Sequence, residues 1–539
     1  MSKEKKNTLI MQGSILALAG IITKIIGFIY RIPMANLMGE EGNGLYSVAF
    51  GIYNTALTIS SYSLPLAVSK LVAYRLAKKE HKNAYRVFLH ALVFAIIVGT
   101  VAATVLFVGA SGLEQMYKKP GLAKPLRILA PTTFVVALLG VFRGYFQGKS
   151  NMVPTAISQI AEQFVNAIIS VVATYQFTKV YANSVDVSAY GAAGGTLGTL
   201  GGALTALFFF MFIFLFYRKS IKIHNRKDVS HVESTGHIYK VLIFTIIPVI
   251  LSQTIYQIGY TIDDLIYGNI MEMKGVPSTV ATSLQGVFNT QYSQLVNLPV
   301  AIATAMAAST IPNIVQSYYQ DNKCEVHKKI DGVVKLNMVI AIPCAIGLAV
   351  LARPIITLLF HSLVTYRGVA CNLLIFGSSA VVFYALSTIT TAILQGSNYM
   401  RVPLIHCGIS LSIHIVIVYG LLRFTDLGVY GLIIGNISFP LLVCILNCRA
   451  ITKYIEYKWN MQQMFIKPLI ASAVMGVATL VSYLLVMWIT RVMIIGLIVS
   501  LLVALIVYLK MLAVLKCFSH EELEEIPLGS KLEKIMNFL

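Results

Sequence analysis

Apolar runs of about 20 residues, the length that crosses a bilayer as a helix, recur along almost the whole of this 539-residue chain. Hydrocarbon offers no water to an unpaired N–H or C=O, so a spanning segment must satisfy its backbone internally. Runs this long do so as helices. Fourteen are read from the sequence, near residues 9–30, 44–72, 87–109, 123–147, 155–177 and 191–217, then 239–267, 281–316, 336–360, 368–395, 404–422 and 429–450, and last 468–489 and 492–512. With 57% hydrophobic residues, 12% charged and a mean hydropathy of +0.76, a soluble globular fold is excluded. The expected fold class is all-α, a polytopic membrane protein of about fourteen transmembrane helices.

The runs are duplicated. Gln147-Gly148-Lys149-Ser150-Asn151-Met152-Val153-Pro154 returns as Gln395-Gly396-Ser397-Asn398-Tyr399-Met400-Arg401-Val402-Pro403, each time between two apolar runs. Leu64-Pro65-Leu66-Ala67 is echoed by Leu298-Pro299-Val300-Ala301, and Tyr190-Gly191 with Gly195 by Tyr430-Gly431 with Gly435. The chain therefore divides into a six-helix lobe over 1–225, its repeat over 226–455, a helix pair over 456–515 and a tail over 516–539. Duplicated halves are a common plan of secondary transporters, with the substrate between them. In the tail, Ser519 with Glu522 and Ser530 with Glu533 mark one or two short helices.

Basic residues collect in alternate loops, at Lys3 to Lys6, Arg75 to Arg86, Arg218 to Lys227 and Lys323 to Lys335, while the other loops hold few. By the positive-inside rule those loops and both termini are expected to be cytoplasmic. That bias accounts for the +20 net charge without nucleic acid as a partner. The first span follows Lys6 without a cleavage site and is read as an anchor. The seven cysteines all fall after residue 323 without a disulfide spacing, and Cys444 with Cys448 reads as packing. No extramembrane segment could house an ATPase, and Gly39-Glu40-Glu41-Gly42-Asn43-Gly44 reads as a turn between spans. Uphill transport would draw on an ion gradient or the membrane potential.

An ionisable group inside a span is costly and marks a functional candidate. In the first span Lys24, Gly27 and Arg31 share a face that Gly13 and Gly20 extend. Lys24 lies several residues from either edge and either lines a cavity or forms a structural ion pair. Arg31, at the span's end, either joins it or snorkels to the interface. The fifth span carries Gln159, Glu162, Gln163 and Asn166 on one face, either a site or a network locking helices together. Glu162 is the natural counter-ion for Lys24, Arg143 or a coupling cation. The seventh span repeats the style with Gln253, Tyr256, Gln257, Tyr260 and Asp264, with Asp263 beside them, toward an interface. Arg143 and Arg353 stand near span ends, where headgroup anchoring and substrate contact are both open. Pro354 marks a break beside Arg353, Pro65, Pro248, Pro299 and Pro343 mark kinks, and Gly194, Gly198 and Gly202 mark close helix packing.

These residues also carry a resemblance. Thr23-Lys24-Ile25-Ile26-Gly27-Phe28 leading to Arg31, Gly42-Asn43-Gly44-Leu45-Tyr46, Leu64-Pro65-Leu66-Ala67-Val68-Ser69-Lys70, and Arg143-Gly144-Tyr145-Phe146-Gln147-Gly148 with Pro154, Ser158-Gln159 and Glu162-Gln163 resemble the MurJ and stage V sporulation protein B branch of the multidrug/oligosaccharidyl-lipid/polysaccharide exporters. The resemblance implies two six-helix lobes around a central cavity, a groove for a polyprenyl tail at helices 13 and 14, and a lipid-linked sugar cargo such as lipid II moved to the outer leaflet. Similar proteins place Arg where this chain has Lys24, and another near Asn166.

The leading reading is a flippase for undecaprenyl-diphosphate-linked glycan precursors working by alternating access. Lys24 with Arg31 or Arg143 would hold the diphosphate, and Gln159, Glu162, Gln163 and Asn166 would bind sugar or peptide or balance charge; Gln257, Asp264 and Arg353 complete the candidate set. The expected partners are the lipid-linked oligosaccharide, membrane lipids and cell-wall synthesis proteins. No cofactor is expected, with Na⁺ or H⁺ left open as coupling cation. An ion-coupled multidrug exporter of the same superfamily is the alternative, and a non-transporting envelope or spore-coat scaffold the third reading. No nucleophile, base and orienter cluster at a spacing that suggests an enzyme.

Overall fold

A computed structural model describes residues 3–319 and 323–518, and all regular structure among them is helical. Residues 519–539, which hold the tail's two capping boxes, lie outside the described residues, as do the side chains of Tyr256 and Tyr260. Contacts gather the chain into two compact units, Met1–Gly286 and Val287–Leu539.

The first unit opens with α1 (Lys3–Ser60), which holds the first expected span and most of the second. The expected turn between them is a single residue, Gly39, at φ 71° and ψ −176°, a conformation that a side chain would strain. Asn43, 1% exposed, secures the bend by donating from Nδ2 to the carbonyls of Ala35 (2.7 Å) and Gly39 (2.6 Å). The helix breaks at residues 61–63 and resumes as α2 (Leu64–Ala77), with Pro65 in its first turn, where the missing N–H costs nothing.

Next come α3 (His81–Tyr117), α4 (Ala123–Gly148), α5 (Val153–Val180) and α6 (Val187–Lys227). Glycines decide how closely these approach. A Cβ on Gly144 would stand 2.7 Å from the Pro65 carbonyl oxygen, and one on Gly198 only 2.1 Å from Ser170 Oγ. Gly194, Gly198 and Gly202 thus form the face of α6 that seats α5, and Gly144 lets α4 lie on α2.

The expected lobe boundary follows the repeat at 225/226, whereas the compact units divide at 286/287, because α7 (Thr235–Met273) and α8 (Ser278–Gly286) pack against α1, α2 and α3. At one end, the α6–α7 linker is fastened to the α2–α3 turn. Arg75 Nη2 and Nε reach the Glu233 carboxylate at 2.5 and 3.0 Å, the Lys82 N–H donates to Asp228 (2.6 Å), and Asn83 Nδ2 donates to the His231 carbonyl (2.8 Å). At the other end Asn269 Nδ2 donates to the Met116 carbonyl (2.9 Å) and Ser278 Oγ to the Lys118 carbonyl (3.0 Å).

The second unit begins with a π-helical turn, Val287–Tyr292, and continues through α9 (Ser293–Tyr319), α10 (Lys323–Val350), α11 (Ala352–Leu359), α12 (Arg367–Gly377), α13 (Ala380–Gly396), α14 (Arg401–Phe424) and α15 (Val429–Ile455). A second π turn, Gln462–Ile466, leads into α16 (Lys467–Thr490) and α17 (Met493–Val514), which pack on each other. The expected break beside Pro354 appears between α10 and α11, and α12 and α13 meet at a 44° bend.

Ten helices among the described residues are long and apolar enough to cross a membrane, or eleven if the bent pair is one span. The sequence expects fourteen. The two numbers differ partly because the first two spans run on through Gly39 and the eighth is divided among α8, the π turn and α9.

The turns at the two copies of the longest sequence echo have similar backbone hydrogen bonds. After α4, Ser150 takes φ 56°, its N–H donates to the Gln147 carbonyl and that of Asn151 to Phe146 (3.1 Å). After α13, Asn398 takes φ 67°, its N–H donates to Gln395 and that of Tyr399 to Leu394 (2.9 Å). Both turns close a helix with one left-handed residue, Ser150 or Asn398, followed by an N–H that bonds five residues back.

Candidate functional site

The polar stripe of α5 faces three neighbours. A Cβ on Gly202 of α6 would stand 2.5 Å from the Glu162 carbonyl oxygen, so α6 leaves no room on that side and the side chains turn toward α1 and α4. Glu162 pairs with Arg143 of α4, Nη2 to Oε2 at 2.5 Å, and the guanidinium also points to Ser158 Oγ at 3.4 Å from Nε and Nη2. Ser158, fully buried, is in turn held by donating to the Thr155 carbonyl (2.7 Å). Gln163 lies against Gly27 of α1, its Nε2 3.0 Å from where a Cβ would stand. Asn166, 8% exposed, donates to the Tyr30 hydroxyl (3.3 Å) and accepts from Ser170 Oγ (2.9 Å).

On α1 the two cations behave differently. Lys24 is exposed and has no hydrogen-bond or ion-pair partner among the described residues. Arg31 is half-buried, its guanidinium beside the Tyr30 and Tyr46 hydroxyls and 5.4 Å from the centre of the Phe50 ring. Of the two side chains open to Glu162 from sequence, Lys24 and Arg143, Arg143 is the one in contact. The stripe's single carboxylate is thereby neutralised, and Lys24 and Arg31 face no acid across an ion pair.

The remaining candidates lie elsewhere. Asp264, 7% exposed, accepts from Gln285 Nε2 of α8 and lies 3.4 Å from where a Gly51 Cβ would stand. It is within electrostatic reach of Lys119, whose ammonium, 1% exposed in the α3–α4 turn, is pushed down to about 8 by burial despite that carboxylate. This group closes the packing of α7 and α8 on the first six helices and does not join the α5 stripe. Gln257 is half-buried on α7, and Arg353 is exposed at the start of α11 in the second unit.

Sequence reasoning did not single out Tyr30, Phe50 or Tyr53, and it quoted Tyr46 and Ser158 only within the motifs of the resemblance. The signal was present, since Tyr46, Phe50 and Tyr53 are spaced at i, i+4 and i+7 on one helical face. In the structure their rings form a ladder with centroids 5.7 Å apart at each step, and Tyr53 lies within electrostatic reach of Glu162.

A family profile described as polysaccharide biosynthesis protein matches residues 9–318, more than half of the chain and all of the α1, α4 and α5 residues above. The chain belongs to that family. Stage V sporulation protein B of Bacillus subtilis (strain 168) is 25% identical over 449 residues, 83% of this chain and 84% of that one. Lipid II flippase MurJ of the same organism is 24% identical over 480 residues, 86% of each. The fold is shared with solved structures. Lipid II flippase MurJ in an inward closed conformation gives a TM-score of 0.67 at 14% identity over 93% of this chain and 98% of that one. An inward-facing multidrug resistance MATE family transporter of the MOP superfamily gives 0.67 at 16% over 80% and 95%. The protein is thus a multi-pass membrane protein with the fold of MOP-superfamily transporters.

Proposed function

We propose that the protein is a flippase carrying an undecaprenyl-diphosphate-linked glycan precursor, such as lipid II, across the membrane by alternating access. The observation that carries this reading is the sign of the α1–α5 site. Its one carboxylate is engaged by Arg143, which leaves Lys24 and Arg31 as uncompensated positive charge. A diphosphate is the complementary cargo, because inward-pointing cations lower the cost of moving an anionic headgroup through a low-dielectric interior. Similarity to Lipid II flippase MurJ supports the same cargo class. With one elementary charge worth about 2.3 kcal/mol per 100 mV, the membrane potential suffices to bias the return of the empty carrier.

The test is transfer of labelled lipid II in vesicles containing the purified protein. Wild type should bring headgroups to the opposite leaflet, and Lys24→Ala should slow this about tenfold or more; unchanged flipping in the variant would overturn the diphosphate assignment. The fold shared with MATE transporters keeps an ion-coupled multidrug exporter of cationic drugs as the comparison. That reading requires a site of opposite sign.

A further inference from the structure

We infer that the Tyr46–Phe50–Tyr53 ladder of α1 is a sugar-binding shelf, with Phe50 contacting the first ring of a glycan headgroup. The inference rests on the lipid-linked reading above and names the part of the cargo that the site distinguishes.

Three observations converge on Phe50. Tyr46 and Tyr53 are 5% and 3% exposed and anchor the ladder, whereas Phe50 between them remains partly exposed. Its ring is held in place, stacked on Tyr46 at 18° and tilted 49° from Tyr53, so contact with a ligand costs little conformational entropy. Arg31 lies 5.4 Å from the ring centre. In a diphosphate-linked sugar a single anomeric oxygen joins phosphate to ring, so the groups that bind them must be neighbours. Arg31 and Phe50 stand at about that separation.

The surroundings fit the rest of a pyranose. A sugar ring presents an aliphatic C–H face and a rim of hydroxyls, and it is recognised by an aromatic surface flanked by a few amide, carboxylate and hydroxyl groups. Beside the shelf are the Tyr30 hydroxyl held by Asn166 and the Glu162 carboxylate near Tyr53. The Tyr46 hydroxyl is buried beside the Tyr30 hydroxyl and the Arg31 guanidinium, which keeps the ladder and the cation together.

The experiment measures binding of two probes to the purified full chain, undecaprenyl diphosphate alone and the same lipid bearing one N-acetylhexosamine. Wild type should prefer the glycosylated lipid. Phe50→Ala should weaken that lipid about tenfold while leaving the sugarless one unchanged, and Phe50→Trp should restore the preference. Phe50→Leu keeps apolar bulk without a ring and should behave like Phe50→Ala, which covers the case in which the smaller side chain fails to fold. Equal weakening of both lipids would overturn the shelf, showing that Phe50 acts through Arg31. Equal wild-type affinity for the two lipids would also overturn it and leave the carrier reading standing. Failure of wild type to bind either lipid would overturn both.

Discussion

The Arg143 guanidinium meets the Glu162 carboxylate at 2.5 Å across the α4–α5 contact, with the two side chains 15% and 25% exposed. The pair is only partly exposed, so each charge depends on the other more than at an open surface. The contact also sets the sign of the site, since it removes the one acid on the α5 stripe from competition for Lys24 and Arg31.

Arg143→Gln and Glu162→Gln should each destabilise the protein, and the double variant should lose less than the sum. The expected coupling is about 1 to 3 kcal/mol, below the roughly 3 to 5 kcal/mol lost when one partner of a fully buried pair is removed. Thermal denaturation of the four proteins in detergent gives the cycle. Additive losses would mean that the pair holds nothing together.

Gly39 should tolerate no side chain. At φ 71° and ψ −176°, Gly39→Ala is expected to cost on the order of 1 to 3 kcal/mol. Gly109 of α3 is a contrasting control, with helical backbone and nothing within 4 Å of its Cβ position, so Gly109→Ala should gain about 0.5 to 1 kcal/mol. Equal melting temperatures for the two variants would contradict the bend.

The Arg75–Glu233 pair should matter far more than a surface pair. Arg75 is 3% exposed and bidentate, whereas Lys124 and Asp186 are 29% and 54% exposed. Arg75→Ala should cost about 3 kcal/mol and Lys124→Ala less than about 1. Hydrogen exchange should speed up across residues 228–235 in the first variant only; protection that persists there would show the linker to be held without Arg75.

Acid should release the same linker. Burial alone would raise the Asp228 carboxyl, but the N–H groups of Lys82 and Ser230 and the Ser230 hydroxyl hold it at about 2. An unfolded aspartate titrates near 3.9, so the folded state contributes stability above that value and loses it as pH falls through about 2. The melting temperature should therefore decline on this account only below about pH 4. Asp228→Ala should lower it at neutral pH and shrink the acid-side decline.

How far sequence reaches is clearest in α5 and α7. Gln159, Glu162, Gln163 and Asn166 share a face by spacing, and Glu162 meets α4 while Gln163 and Asn166 meet α1. Gln253, Gln257 and Asp264 follow the same spacing, yet Asp264 ends against Gln285 and Lys119, away from the stripe. Periodicity says which side chains lie together on one helix and is silent on what stands opposite. The aromatic ladder was missed because apolar rings in a span carry no desolvation penalty that marks them as unusual, as Lys24 does.

Sequence alone determined the helical class and the multi-pass membrane character, because in lipid the backbone must bond within its own helix. Tertiary structure decided that Arg143 takes Glu162, that Lys24 stays unengaged, that Arg31 rests on Phe50 and that α7 is fastened to the first six helices. Those choices depend on how far one helix slides and rotates against another, which close approaches at Gly144, Gly198 and Gly202 set across long stretches of chain.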